Sequence, residues 1–177
     1  MTDPREYVAE ETAKSGVPVT IRALRDDDRE KVAAAVRGLD RESIYLRLFS
    51  YRSELTEAAL DRIMRFDPAA EIVLLGTVRS HGDERVIGSA RYVVTSTGVA
   101  EVAFVVEEDY HGQGIASRLL RHLARVARRQ GVHTFEADVL TGNKGMQFVL
   151  ARAGWPTQMR LEGSSTHITM TLPDDLG

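Results

Sequence analysis

The chain has 177 residues with 23 basic and 26 acidic side chains, a formal charge of −3, and 43% hydrophobic and 28% charged residues; this is the composition of one ordinary globular domain. Such a balance provides no positive field to gather nucleic acid or an anionic membrane, and no window approaches the ~18 continuous apolar residues of a membrane span. Cysteine is absent, which excludes disulfides, thiol nucleophiles and thiolate metal sites and suits a reducing compartment; with no apolar signal segment at the acidic N-terminus, a cytoplasmic location is expected.

In chain order, residues 1–17 read as a flexible leader, leaving 18–177 as the domain. Val19 to Leu24 alternates as a half-buried strand does. Asp26, Asp27 and Asp28 supply N-cap and first-turn acids to a helix that runs to about Gly38, a C′ glycine. Ser43 to Phe49 is expected as a short helix, and a further helix opens at Thr56 and ends near Pro68. Strands follow at Ile72–Val78, Val86–Thr95 and Glu101–Val106, the first two joined by a Ser80-His81-Gly82-Asp83 hairpin turn. From Ile115, the apolar residues Leu119, Leu120, Leu123, Val126 and Ala127 recur at helical spacing until Gly131. Thr134–Leu140 is a strand, Asn143–Ala153 a helix, and Ile168–Leu172 a last strand. This order predicts a mixed α/β (α+β) sheet rather than a doubly wound fold.

The informative segment is Ala100 to Ala116, an apolar strand that runs through a glycine-bearing turn into the long helix. Two glycines before a helix can serve only to make a tight turn. They can also leave backbone N–H groups uncovered where a helix begins, and that end carries about half a positive charge and suits a phosphate. The segment lacks the Gly-Lys-Ser/Thr of a Walker loop. It matches only the first half of a dinucleotide fingerprint, since position 117 is Ser.

Strand, turn and helix together resemble motif A of the GNAT superfamily of N-acetyltransferases, Gln/Arg-x-x-Gly-x-Gly/Ala. His111 stands at the Gln/Arg position, and Gly114 and Ala116 match. Downstream, Asn143, Met146, Gly154 and Trp155 follow the family's Asn-x-x-Ala…Gly-Phe pattern with conservative departures. Leu39 to Ser50 resembles the Ser-x-Tyr-x-Arg-Phe-Phe segment of bacterial protein-lysine acetyltransferases, and Ala100 to Val106 matches the same branch. The likeness spans residues 19–172. It implies a single GNAT-fold domain, a mostly antiparallel sheet of about six to seven strands splayed between Glu101–Val106 and Thr134–Leu140, with helices on both faces.

The resemblance implies acetyl-CoA as cosubstrate and an amine acceptor, most simply a protein lysine. The cofactor's pyrophosphate would rest on the N–H groups of Gly112, Gln113, Gly114, Ile115, Ala116 and Ser117, with His111 beside them. Phe104 and Val106, with Val105 between, would pair with the pantetheine arm, and Asn143 would contact the cofactor. A backbone N–H on the same strand edge would stabilise the oxyanion, an effect worth roughly 3–4 kcal/mol per donor. A lysine amine is protonated at neutral pH and needs a base. The candidate is Glu101, set among apolar neighbours whose desolvation would tune it for proton transfer, and a Glu at this position is the base in the resembled branch. Ser43, Tyr45 and Arg47 would line the acceptor side.

Leu150 replaces the tyrosine that often reprotonates the leaving thiolate, which leaves water, Tyr110 or Tyr45. Two alternatives stay open, a small-amine acceptor (antibiotic or polyamine) and a CoA-binding module without catalysis. The remaining groups read blandly. Arg118, Arg121, Arg125, Arg128 and Arg129 form the solvated face of a helix, with Arg118 near a CoA phosphate, and the five histidines lack metal-ligand spacing. No metal, nucleic acid or membrane partner is expected, and the chain would be a monomer or homodimer.

Overall fold

A computed structural model describes residues 3–38 and 57–176. The expected Ser43–Phe49 helix and the candidate residues Ser43, Tyr45 and Arg47 lie outside the described residues. Among the described residues eight strands form one sheet: β1 (Val8–Thr12), β2 (Pro18–Ala23), β3 (Glu71–Ser80), β4 (Asp83–Ser96), β5 (Val99–Val106), β6 (Thr134–Leu140), β7 (Thr157–Glu162) and β8 (Ser165–Thr171). Their spatial order is β1-β2-β3-β4-β5-β6-β8-β7. Every pairing is antiparallel except β5 with β6. The described helices are α1 (Arg29–Arg37), α2 (Glu57–Met64), α3 (Ile115–Arg129) and α4 (Lys144–Arg152).

Two strands exceed the sequence expectation, and both lie at sheet edges. Residues 1–17 are not a leader throughout: Val8 to Thr12 pair with Pro18 to Arg22 as a ladder. The burial of β1 alternates only between exposed and half-buried, and β7 is almost wholly exposed. An edge strand with no buried face leaves no apolar alternation to read. The β3–β4 hairpin turns on His81 and Gly82, both with φ positive, as a two-residue turn between right-twisted strands requires. Gly38 ends α1 as expected but keeps right-handed helical angles rather than the left-handed C′ conformation.

The sheet separates two cores, as the alternation of β3 shows. Ile72 and Leu74 face the larger core under α3, whereas Val73 and Leu75 face a smaller one containing Val32 and Ala33 of α1 and Leu60 of α2. On α3, Ile115, Leu119, Leu120 and Leu123 are fully buried, each contributing roughly 1.5–3 kcal/mol through the water it leaves. The start of this helix lies close over the sheet because β4 offers Gly88 there. A Cβ on Gly88 would stand 3.1 Å from the Val105 carbonyl oxygen and 3.4 Å from Leu119 Cδ1.

One charged cluster is buried in this frame. Arg22, on the β2 face that turns toward α1, is 2% exposed and grips Asp28, 0% exposed, through Nη1 and Nη2 at 2.8 and 2.7 Å. The same guanidinium donates to Glu84 from Nη2 at 2.7 Å and Nε at 3.1 Å. Thr77 and Lys31 add donors to Glu84, and Asp28 accepts the Arg25 N–H. The hydrogen bond from Arg22, the largest influence, helps pull the Glu84 carboxyl down to about 2. Asp28 is thus more than a helix start: through Arg22, which also holds Glu84, it helps tie β2, α1 and the β3–β4 hairpin together. Asp28→Asn would leave Arg22 buried with half its partners, a loss of about 3–5 kcal/mol, which equilibrium urea unfolding measures.

A second buried group holds β1 and the preceding 3₁₀ turn (Pro4–Glu6) against α3. His122, 3% exposed, lies between Tyr7 and Glu11. Because the Glu11 carboxylate only accepts, His122 Nε2 donates to it (2.8 Å), and Nδ1 accepts from the Tyr7 hydroxyl (2.5 Å). Burial is the leading influence and lowers its pKa from the ordinary 6.5, against the opposing Glu11 hydrogen bond. The unfolded chain therefore takes up this proton first. The stability contributed by neutral His122 is complete above pH 6.5 and is lost as pH falls through its folded value. Glu84 adds a lower window, from 4.5 down toward 2. Protection factors of the β1 amides, taken relative to the intrinsic exchange rate at each pH, should fall on acidification below 6.5, before the Glu84 window is reached, and His122→Gln should remove that first step.

Candidate functional site

The site follows from where β5 and β6 separate. Their parallel ladder has three positions, Val99 with Thr134, Ala100 with Phe135 and Glu101 with Glu136, and then ends. Beyond it β6 pairs only with β8, while β5 continues along β4. Glu107 donates its N–H to the Ile87 carbonyl of β4 at 2.8 Å. Alternate residues of an extended strand direct both peptide groups the same way. Val105 and Ala103 therefore turn toward β4, and Phe104 and Val106 present theirs on the side that β6 has left. On that side a cavity of about 1040 Å³ runs from Glu101 along β5 to the Gly112–Gly114 turn, with Asn143, Val149 and Leu150 on its far side.

The turn prepares the head of α3. Gly112 and Gly114 both have positive φ, 77° and 80°, and Gly114 is the N-cap. The first helical donor is the Arg118 N–H, to the Gly114 carbonyl at 3.1 Å, so the amides of Ile115, Ala116 and Ser117 precede the helical ladder. Arg118 folds back over the turn, donating from Nη1 to the carbonyls of Gly114 (3.0 Å) and Gln113 (3.4 Å). This puts a cation beside the positive end of the helix dipole. His111 Nε2 donates to the Val106 carbonyl at 2.7 Å and fastens the turn to the end of β5.

Of the residues singled out in the sequence, Glu101, Phe104, Val105, Val106, His111, Gly112, Gly114, Ile115, Ala116, Ser117 and Asn143 all line this one cavity. Gln113 does not. Its carbonyl accepts the Lys14 N–H at 3.0 Å and its side chain the Ser15 hydroxyl at 2.6 Å. Asn143 caps α4, its Oδ1 accepting from Met146 N–H at 3.1 Å. Glu101 departs from expectation. Its side chain points away from the large core and is exposed, because it lies on the strand face opposite Ala100 and Val102, the apolar neighbours it has in the sequence. Leu150 is fully buried against the core.

Three features escaped sequence reasoning. Lys14 and Arg121 also line the cavity, the first from the segment expected to be a mobile leader. The arginines of α3 are not merely solvated: Arg125 donates to the Tyr7 hydroxyl and the Leu176 carbonyl, and Arg128 pairs with Asp174. They bind both chain ends to the helix. Finally, Asp138, Glu162 and His167 bring ligand atoms within 4.8 Å of one another. His167 donates to its cross-strand partner Asp138 at 2.8 Å, a bond that raises its pKa. The group is an ion-pair cluster on the sheet face that Glu136 shares. No spacing along the chain announces any of these contacts, which join residues far apart in sequence.

With this geometry in view, the comparisons with known proteins are consistent with one another. The profile of the acetyltransferase (GNAT) family matches residues 26–155. An acetyltransferase of Pseudomonas aeruginosa is 30% identical over 149 residues, 84% of this chain and 80% of its own length. Acetyltransferase Pat of Mycolicibacterium smegmatis is 35% identical over 136 residues, which cover 76% of this chain and 40% of Pat. Among solved structures, the GNAT domain of S. lividans PAT superposes with a TM-score of 0.84 at 28% identity, covering 93% of this chain and 97% of that domain.

Gly114→Ala tests the turn. A Cβ there would lie 2.1 Å from Arg118 Nη1, and a left-handed φ costs a non-glycine residue about 1–2 kcal/mol. Arg118 can swing aside, but only by giving up its bonds to the turn. The expected outcome is a loss of roughly tenfold in affinity for coenzyme A by titration calorimetry, with the melting temperature lowered only slightly.

Proposed function

The chain belongs to the acetyltransferase (GNAT) family, and on that premise we propose that it transfers an acetyl group from acetyl-CoA to a protein lysine side chain, with Glu101 as general base. Acetyl-CoA-dependent N-acetyl transfer is the chemistry of the family. What carries the finer reading is a single cavity that contains both the unladdered amides at the head of α3 and the carboxylate of Glu101, at opposite ends of one strand edge.

The pyrophosphate takes the amides from Gly112 to Ser117, next to the Arg118 guanidinium. The pantetheine arm lies along β5 as an added strand, using the peptide groups of Phe104 and the N–H of Val106 on the open side, the Val106 carbonyl being held by His111. A backbone N–H of this edge faces the thioester carbonyl and stabilises the oxyanion as the amine attacks. Asn143, whose Oδ1 caps α4, has its amide N–H groups to offer the cofactor.

Glu101 is the last residue of β5 paired to β6, so it stands where the cleft opens. It removes the proton from the attacking ammonium directly or through water. Its exposure suits this route, since solvent accepts the proton onward. Glu136, its register partner, and Asp138, which lines the cavity, lie on the same strand face and with Glu101 outnumber the His167 they flank, leaving the entrance acidic. An acidic entrance favours a cationic acceptor such as lysine. The similarity to Pat and to the PAT domain supports a protein acceptor. The transfer is direct, so no nucleophilic side chain is required, and water or Tyr110, which lines the cavity, reprotonates the thiolate in place of the residue that Leu150 replaces.

Glu101→Gln should lower turnover about 10²–10⁴-fold while acetyl-CoA affinity stays nearly constant, as read by thiol release and by calorimetry. Turnover that is unaltered across pH would remove Glu101 from the mechanism. Labelled acetyl-CoA offered to lysate proteins and to a panel of polyamines and aminoglycosides tests the acceptor: label in protein lysines is expected. Label only in small amines overturns the lysine assignment, and binding without thioester consumption overturns catalysis.

A further inference from the structure

We propose that the β1–β2 loop is part of the cofactor site, and that Lys14 supplies a cationic contact to the diphosphate of coenzyme A. This rests on the acetyl-CoA reading above and extends it to a segment outside the strand–turn–helix unit.

The loop and the turn are built against each other. β1 and β2 pair from Val8–Arg22 to Thr12–Pro18, and the connection is closed by Ala13 N–H to the Val17 carbonyl and Gly16 N–H to the Ala13 carbonyl, each at 2.9 Å. From this tight loop the Lys14 N–H and the Ser15 hydroxyl both reach Gln113, the residue between the two positive-φ glycines. The loop therefore fixes the turn at its centre. The turn in turn fixes where Lys14 goes: its Cε lies 3.5 Å from the position a Cβ would take on Gly114. Lys14 is exposed and lines the same cavity as Gly112, Gly114, Arg118 and Arg121.

Charge completes the case. Arg118 is committed to two carbonyls of the turn and approaches Glu11 at 3.6 Å. Lys14 has no carboxylate partner among the described residues. Its ammonium is a mobile point charge with three donors on a flexible stem, at the end of the helix where an anion is already favoured. A diphosphate seated on the α3 amides would lie within its reach. Alignment by sequence alone misses such a contact because residues 13–15 and 112–114 are about 100 positions apart.

The test compares the unaltered chain with Lys14→Ala and Lys14→Arg, titrated with acetyl-CoA, 3′-dephospho-acetyl-CoA and S-acetylpantetheine at low ionic strength. Lys14→Ala keeps the backbone N–H that holds Gln113, so the turn retains its shape. The expected result is binding of both nucleotides weakened about five- to tenfold, no change for the phosphate-free thioester, restoration by Lys14→Arg, and a difference that shrinks with added salt. Equal affinities for the unaltered chain and Lys14→Ala overturn the proposal. A loss seen with acetyl-CoA but not with the dephospho form assigns Lys14 to the 3′-phosphate and overturns the diphosphate assignment. An equal loss for all three ligands makes the role structural and also overturns it. Failure of the unaltered chain to bind acetyl-CoA would instead sink the cofactor reading itself.

Discussion

Backbone hydrogen bonding along β5 is incomplete by construction. Three register positions join it to β6 and then the ladder stops, although buried peptide groups need partners. A strand edge left open inside a cleft is satisfied by water or by an extended ligand that carries amides of its own. The candidate groups among the described residues are placed by this parting: Glu101 sits where it begins, the α3 amides where it ends, and α4 stands across the gap.

The fold maintains the opening by holding the two strands to different partners. On one side, β4 keeps β5 in a long antiparallel ladder, and α3 is pressed close over it where Gly88 leaves room. On the other side, β8 pairs with the whole of β6. Closing the gap would require breaking one ladder or the other. The cleft is therefore a consequence of pairing, and it needs no strained residue at Glu101 to keep it open.

Charge is used sparingly and in distinct roles. The Arg22–Asp28–Glu84 cluster is enclosed, shares its hydrogen bonds among β2, α1 and the β3–β4 hairpin, and specifies how they meet. The arginines of α3 bind the N- and C-terminal segments to the helix that carries the turn. Glu101 and Asp138 bring carboxylates to one end of the cleft, whereas Arg118, Arg121 and Lys14 bring cations to the other. A nearly neutral chain thus carries a polarised cleft.

What the sequence determined by itself is everything with a short-range signal. The alternation of Ile72 to Val78, the helical spacing of Ile115 to Ala127, the two turn glycines and the exact span of Thr134–Leu140 are local patterns, and they placed the strand, the turn and the helix of the site. Tertiary structure alone decided the rest. Whether β1 and β7 pair is a property of their neighbours, because exposed edge strands bury no face and print no period. Arg22 occupies an ordinary strand position, and only the approach of Asp28 and Glu84 makes its burial tolerable. Glu101 was legible as a carboxylate on this strand, but its exposure was not, since no local pattern says whether the strand face opposite Ala100 and Val102 is covered. Lys14 stands in a loop that no local pattern links to the turn, and the hydrogen bonds that join them exist only once the sheet has brought residues 14 and 113 together.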